Sequence, residues 1–232
     1  MKCLGFRGGY DKEKSAGVYT LHQKCSSERK VKDEKLWNKL PNYNSFLFHR
    51  FYLFTKDGST NSENLMKQWQ LPSWDNSEWN DKDKIENRRL FSNVSITYND
   101  FHNHAHCDNN SNNLTYGLFS YIDIKNGNPV SPPTKCIGHS FSFPDYNLNF
   151  EFGLNNGIIE LIWPSKKILH QTTKPPLEVS TNNTTTHFGC SFQISNELIK
   201  RVKKHEREGT GDFVDKTIGR AQRCAKYRKN CN

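Results

Sequence analysis

The sequence predicts an α+β protein with a helical front and a β-rich back, and two observations carry the prediction. Up to about residue 90 the apolar residues are spaced for helices or scattered among charges. From about residue 91 they alternate in short runs divided by turn residues, which indicates a sandwich or barrel rather than a parallel sheet wrapped by helices.

In the front, ERKVKDEKLWNKL (28–40) sets Val31, Leu36 and Leu40 among charges, as in an exposed helix. SFLFHRFYLF (45–54) is densely apolar, and its pattern fits a buried helix and a strand equally. SENLMKQWQ (62–70) reads as a helix capped by Ser62, and a polar Asn/Asp/Trp stretch to about 90 reads as loop.

In the back, FSNVSITY (91–98) alternates, and TYGLFSYIDI (115–124) is a strand closed by the turn Lys125-Asn126-Gly127-Asn128-Pro129. HSFSF (139–143) and YNLNFEF (146–152) are strands parted by Pro144-Asp145. GIIELIW (157–163) reads as a buried strand after the hairpin signal Asn155-Asn156-Gly157. HFGCSFQI (187–194) is the last strand, and a helix capped by Ser195 follows it.

A chain of 232 residues suits one sizeable domain. Hydrophobic residues make up 34% and aromatics 12%, so the expected core is small and rich in rings. The expected organisation is a domain over 1–199, with a helical front 1–90 and a β core 91–194, followed by a basic helix or tail over 200–232. The net charge of +9 is concentrated in that tail, where eleven Lys/Arg face four Asp/Glu. Such a tail attracts polyanions without specificity, although charge alone favours the plainer reading of a solvated, frayed terminus.

Seven cysteines (3, 25, 107, 136, 190, 224 and 231) show neither a zinc-finger nor a disulfide spacing. With no apolar leader core and no run of membrane-spanning length, the expectation is an intracellular, reduced protein without a membrane. The Asn-x-Ser/Thr matches at Asn93, Asn113, Asn182 and Asn183 are then chance products of an Asn-rich chain.

The chemistry concentrates in His102-Asn103-His104-Ala105-His106-Cys107-Asp108. If extended, this segment turns His102, His104, His106 and Asp108 to one face, with Cys107 on the other. Imidazoles joined by a carboxylate suit an open-sited transition metal, and His-x-Asp is one arm of the facial two-histidine, one-carboxylate triad. The second histidine must come from elsewhere: His139, His170, His187 and His205 are the downstream candidates.

The ordered set FSNVSITYNDFHNHAHCDNN, TYGLFSYI, FSFPDYNLNFEFGLNNGIIELIW, LHQTT and THFGCSFQI resembles the TET/JBP oxygenases, and most closely the fungal Tet-like 2-oxoglutarate/Fe(II) enzymes. LMKQWQLPSW and LGFRGGYDKEKSAGVY are similar too, so the resemblance reaches to about residue 200. It implies a double-stranded β-helix (a jelly-roll, cupin-like core) flanked by N-terminal helices. It implies Fe(II) held by His106, Asp108 and His170, with 2-oxoglutarate and dioxygen as co-substrates. It also implies oxidation of a C–H bond on a methylated nucleic-acid base extruded from its stack. The implied partner is nucleic acid, DNA before RNA, and the implied location the nucleus ahead of the cytoplasm.

One departure stands out. The family's last core strand carries an arginine for the far carboxylate of 2-oxoglutarate, and His187 stands at that place. A guanidinium is always charged and grips a carboxylate with two hydrogen bonds, whereas an imidazole does neither. His187 is therefore a weaker anchor, or another cation such as Lys174 replaces it, or co-substrate binding has been lost. That leaves three rival functions: a degenerate oxygenase kept as a binding module, an oxygenase for protein or small molecules, and a zinc protein built on the 102–108 cluster.

Overall fold

A computed structural model describes residues 1–7, 16–19, 25–79, 89–99, 101–131, 138–152, 157–177, 184–207 and 217–218. The chain gathers into two compact units, one of Met1–Lys2 with Ser95–Phe192, the other of Cys3–Val94 with Gln193–Asn232. The fold is α+β with an antiparallel, sheet-rich core of jelly-roll type. The hairpin signal at 155–156 and the sequons at 182 and 183 lie outside the described residues.

The 95–192 unit is two sheets packed through one aromatic core. The larger sheet orders β3 (Asn93–Tyr98), β9 (Thr185–Gln193), β4 (Thr115–Asp123) and β7 (Ile159–Trp163) side by side, β3 entering from the other unit along the chain. β4 runs antiparallel to both neighbours, setting Tyr121 opposite His187 and Thr115 opposite Trp163. The smaller sheet is β6 (Leu148–Glu151), β5 (Ser140–Phe143) and β8 (Gln171–Thr172). Phe119 and Tyr121 from β4, Phe141 and Phe143 from β5, Phe152 and Trp163 form the buried cluster between the sheets. Most of the core is therefore ring surface, as the composition implied.

The turns follow their residues. Asp123 Oδ1 accepts from the backbone N–H groups of Lys125 and Asn126 (2.8 and 2.9 Å), and Gly127 then takes a φ of +75°. Pro144 starts a single 3₁₀ turn, and Asn147 (φ +48°) closes it by adopting the left-handed region. GIIELIW differs from expectation: β7 lies at the sheet edge, so Ile159 to Ile162 are only half-buried and Trp163 alone is buried.

The other unit carries four helices and a small sheet among its described residues. α1 (Ser27–Trp37) is capped by Ser26, whose hydroxyl accepts from the Arg29 N–H (3.3 Å). The ambiguous apolar run is α2 (Leu40–Phe54), entered through Pro41, which needs no N–H there. α3 (Lys56–Gln68) begins six residues before the expected cap; Thr55 caps it by accepting from the Gly58 N–H (3.1 Å), and Ser62 is buried in its middle. Its buried stripe is Gly58, Ser59, Ser62 and Met66, mostly small polar residues that hydrophobic periodicity does not register.

Two short strands in the expected helical front, β1 (Lys2–Arg7) and β2 (Ala16–Val18), pair antiparallel and bury Phe6 and Val18. α4 (Asn196–Arg207) starts where Ser195 accepts from the Glu197 N–H (3.2 Å), buries Leu198, Ile199 and Val202, and runs through the expected 199/200 boundary. The tail also contributes order: β10 (Thr217–Ile218) joins β2 as a parallel strand, where charge alone suggested a frayed terminus. The remainder of 208–232 lies outside the described residues.

A close approach within the 95–192 core is at Gly117, where an added Cβ would stand 2.8 Å from the Trp163 ring. Gly117→Ala should therefore destabilise the protein by about 1–3 kcal/mol, read as a lowered urea midpoint with unchanged slope.

Candidate metal centre

The segment 101–110 is not the regular strand that its alternation suggested. It is an extended run held by backbone pairing to residues 165–172. His106 and His170 sit directly opposite each other and exchange both backbone hydrogen bonds, 3.1 and 3.0 Å. The Asn103 N–H donates to the Thr172 carbonyl (3.1 Å) and the Asp108 N–H to the Ser165 carbonyl (2.8 Å). The Asn103 side-chain carbonyl returns a bond by accepting from the Thr172 N–H (2.7 Å). His106 and Asp108, two residues apart, thus share a side, and His170 is brought to them from a segment more than sixty residues away.

The imidazoles are oriented by their second nitrogens. His106 Nδ1 donates to the carbonyl of His104 (2.9 Å), and His170 Nδ1 donates to the carbonyl of Ile168 (3.0 Å). A neutral imidazole carries one proton, so with Nδ1–H committed to a carbonyl each Nε2 presents a bare lone pair. Those lone pairs face one carboxylate: His106 Nε2 is 3.5 Å from Asp108 Oδ1 and His170 Nε2 is 3.7 Å from Asp108 Oδ2. One donor atom from each of the three residues falls in a group spanning no more than 4.8 Å. Burial pushes the His170 pKa down, which keeps that lone pair available.

Asp108 is itself held. Asn110 donates to its Oδ2 (3.0 Å) and also reaches Ser165 Oγ (3.4 Å). The Ser165 hydroxyl meets Thr115 Oγ1 at 2.7 Å, and Asn112 donates to Thr115 Oγ1 (3.3 Å) and to the Leu114 carbonyl (2.8 Å). Local sequence pattern gives no sign of this chain through Asn110, Ser165, Thr115 and Asn112. The centre is open on one side, the His106 and Asp108 side chains being 41% and 22% exposed and that of His170 only 5%.

Other candidates lie apart. His102, His104 and Cys107 are exposed and outside the donor group, so only two of the four residues expected on one face reach it. Lys174 is exposed. His139 is buried, with Nδ1 2.9 Å from the Tyr121 hydroxyl. His187 is buried against Phe152, with ring centroids 4.4 Å apart. Residue 205 lies on α4.

Residues 1–175, three quarters of the chain, match the model of the Tet-like 2OG-Fe(II) oxygenase superfamily. The chain belongs to that superfamily. No curated protein matches it. The superfamily's chemistry employs Fe(II), 2-oxoglutarate and dioxygen, and the donor set tests well against the first of these. Two imidazole nitrogens and a carboxylate on one side, with the other side open, suit a six-coordinate iron that keeps places for co-substrates. Without a cation the arrangement is unfavourable, because two lone pairs and an anion then face one another.

The far carboxylate of 2-oxoglutarate is not matched in the same way. Residues 95–192 contain no arginine. Of the lysines there, Lys125, Lys166, Lys167 and Lys174 are exposed and Lys135 lies outside the described residues. Burial, with His139 beside it, pushes the His187 pKa down to about 3, and burial pushes that of His139 to about 4. Both rings are neutral near pH 7, so neither offers charge to an anion.

These two histidines make stability depend on pH with a definite sign. Their folded pKa values lie below the ordinary 6.5, so their contribution is complete above pH 6.5 and is lost as pH falls, when the unfolded chain takes up protons that the fold excludes. The slope between pH 6.5 and 4 should include about 1.4 kcal/mol per pH unit for each ring. Chemical denaturation of His187→Phe across that range should show the slope reduced by one proton.

Proposed function

We propose that this protein is an Fe(II)- and 2-oxo-acid-dependent dioxygenase that hydroxylates a C–H bond of a methylated nucleic-acid base, with His106, Asp108 and His170 as its iron ligands. The observation that carries the reading is the convergence of three donor atoms within 4.8 Å, each imidazole already committed through Nδ1 to a backbone carbonyl. This is the wiring that fixes a ligand's tautomer before the metal arrives. Superfamily membership supports the oxygenase class.

Iron bound there would supply the positions at which the co-substrates are brought together and oxygen is activated. The protein's own part is to hold three ligands to one side, keep Asp108 oriented through Asn110, and leave the exposed flank of His106 and Asp108 for what must approach. A base in a duplex reaches such a recess only after extrusion from the stack. The surplus of positive charge over 200–232 supports a polyanionic partner, DNA before RNA, and a nuclear place of work. Among the described residues no helix is long and apolar enough to cross a membrane.

Anaerobic titration of the apoprotein with Fe(II) and then 2-oxo acid tests the assignment through the visible charge-transfer band of the chelate. The band should be lost in His170→Ala and in Asp108→Ala and kept in His102→Ala. A metal site that depends on His102 and survives His170→Ala would replace this reading with the zinc-binding one. Asn110→Ala should weaken iron binding about 10–100-fold while leaving the fold intact, measured by competition with a chelator. Incubation of the loaded enzyme with methylated DNA should yield a hydroxymethylated base by mass spectrometry; an unchanged base beside an oxidised protein or small-molecule substrate would overturn the nucleic-acid part.

A further inference from the structure

α2 buries one side within its own unit through Leu40, Asn44, Phe48 and Phe51. Its outer side is not the polar surface that a helix normally turns to water. Tyr43, Phe46, Leu53 and Phe54 are each between 49% and 65% exposed. The fifteen residues of the helix include no Asp, Glu or Lys, although 25% of the chain is charged. The exposed sides of α1 and α4, by contrast, are dense in Lys, Arg and Glu.

The outer residues follow a definite spacing. Tyr43, Phe46, Arg50 and Leu53 stand three, four and three positions apart, the interval of a coiled-coil seam, and Leu47 lies half-buried beside them. Phe54 adjoins the seam at one end, where the Arg50 guanidinium lies 5.6 Å from its ring centroid. The helix thus has two stripes, one used within the chain and one presented outward. The outward stripe is complementary to itself when reversed. A two-fold axis at the level of Phe48 sets Tyr43 opposite Leu53 of a second copy, and Phe46 opposite its Arg50, so that a ring receives each guanidinium. A parallel arrangement would instead set Arg50 against Arg50, like charges in an apolar seam. The exposed parts of these rings and of Leu53 amount to about 400 Å², within the range of the largest apolar patch on a monomer and about half of one partner's share in a stable interface.

We propose that the outward face of α2 is a self-association surface on which two copies of this chain pair antiparallel through Tyr43, Phe46, Arg50 and Leu53. A stripe without a carboxylate, whose one guanidinium is received by its own reversed sequence, suits a copy of itself. A lipid surface is the poorer fit, because Arg50 stands in the middle of the stripe and not on its flanks, where a basic side chain could reach headgroups. With about half the usual area the pair is weak, its Kd about 10–100 µM. The inference is independent of the iron site, since none of the proposed ligands lies on α2.

Analytical ultracentrifugation of the full chain, with and without Fe(II), over about 1–300 µM tests the proposal. The wild-type protein should pass from monomer to dimer within that range. Tyr43→Asp alone and Leu53→Lys alone should each weaken dimerisation at least tenfold, with circular dichroism and urea midpoint unchanged, because both positions face water in the monomer. Tyr43→Asp and Leu53→Lys combined in one chain should recover the dimer: the two positions are about 15 Å apart along one helix and meet only between antiparallel copies. A wild-type protein that stays monomeric throughout overturns the proposal, and if that monomer binds vesicles of anionic phospholipid and Leu53→Lys does not, the face belongs to a membrane. A dimer indifferent to both single substitutions also overturns it and places the contact elsewhere. Dissociation by the single substitutions without recovery in the combined chain overturns the antiparallel pairing. Should a charged variant fail to fold, Tyr43→Ser and Leu53→Ser supply the same comparison with the wild type.

Discussion

The site depends on one backbone contact, the reciprocal hydrogen-bonded pair between His106 and His170. Residues directly opposite in an antiparallel pair have their side chains side by side, so two N–H···O=C bonds suffice to set two imidazoles together, with ring centroids 4.6 Å apart. The same segment of chain then delivers Asp108 two residues later, anchored by its own N–H on Ser165. Two neighbouring side chains and a third from more than sixty residues away thereby become a geometric unit whose spacing is set by the regularity of strand pairing. β8 makes this possible because it is paired on both sides, to β5 through Ser142 and Phe141 and to the 103–106 run through Thr172 and His170.

Behind the ligands lies a polar layer whose cost is met internally. Asn110, Asn112, Thr115 and Ser165 are all buried, and each would be destabilising alone. Linked in sequence from the Leu114 carbonyl to Asp108 Oδ2, they satisfy one another and pass rigidity to the carboxylate. This separates the unit into two environments. One is a hydrogen-bonded end that holds the charge of Asp108. The other is a ring-packed interior of Phe119, Phe141, Phe152 and Trp163 that admits only neutral groups.

What the sequence made legible follows the reach of local pattern. Alternation located β3, β5, β6 and β9 to within a few residues, because a half-buried strand writes its burial into every second position, while β4 and β7 were located by apolar runs bounded by turn residues. α3 was misplaced at its start because its buried face is Gly and Ser, and β1 and β2 were missed because each buries a single large residue, Phe6 or Val18. The His-x-Asp pair and its partnership with His170 could be named from family resemblance. The Asn110–Ser165 support spans fifty-five positions, and the tautomers, though set by carbonyls only two residues away, depend on a local backbone geometry that no single-sequence pattern encodes.

Position 187 shows how a site and a core constrain one another. A guanidinium there would need a partner for every donor, yet the ring is enclosed by Phe119, Tyr121, His139 and Phe152, and its Nε2 lies 3.1 Å from where a Cβ on Gly189 would stand. Such a setting excludes charge in the absence of an anion, and an imidazole is the polar group that can become neutral to enter it. His139 is in the same condition through the same packing, so the two rings are electrostatically matched. Residues 95–192 contain no arginine, so no guanidinium from this segment enters that interior. In a low-dielectric interior an unpaired charge is penalised far more steeply than an unpaired dipole, which is why both imidazoles are held neutral there.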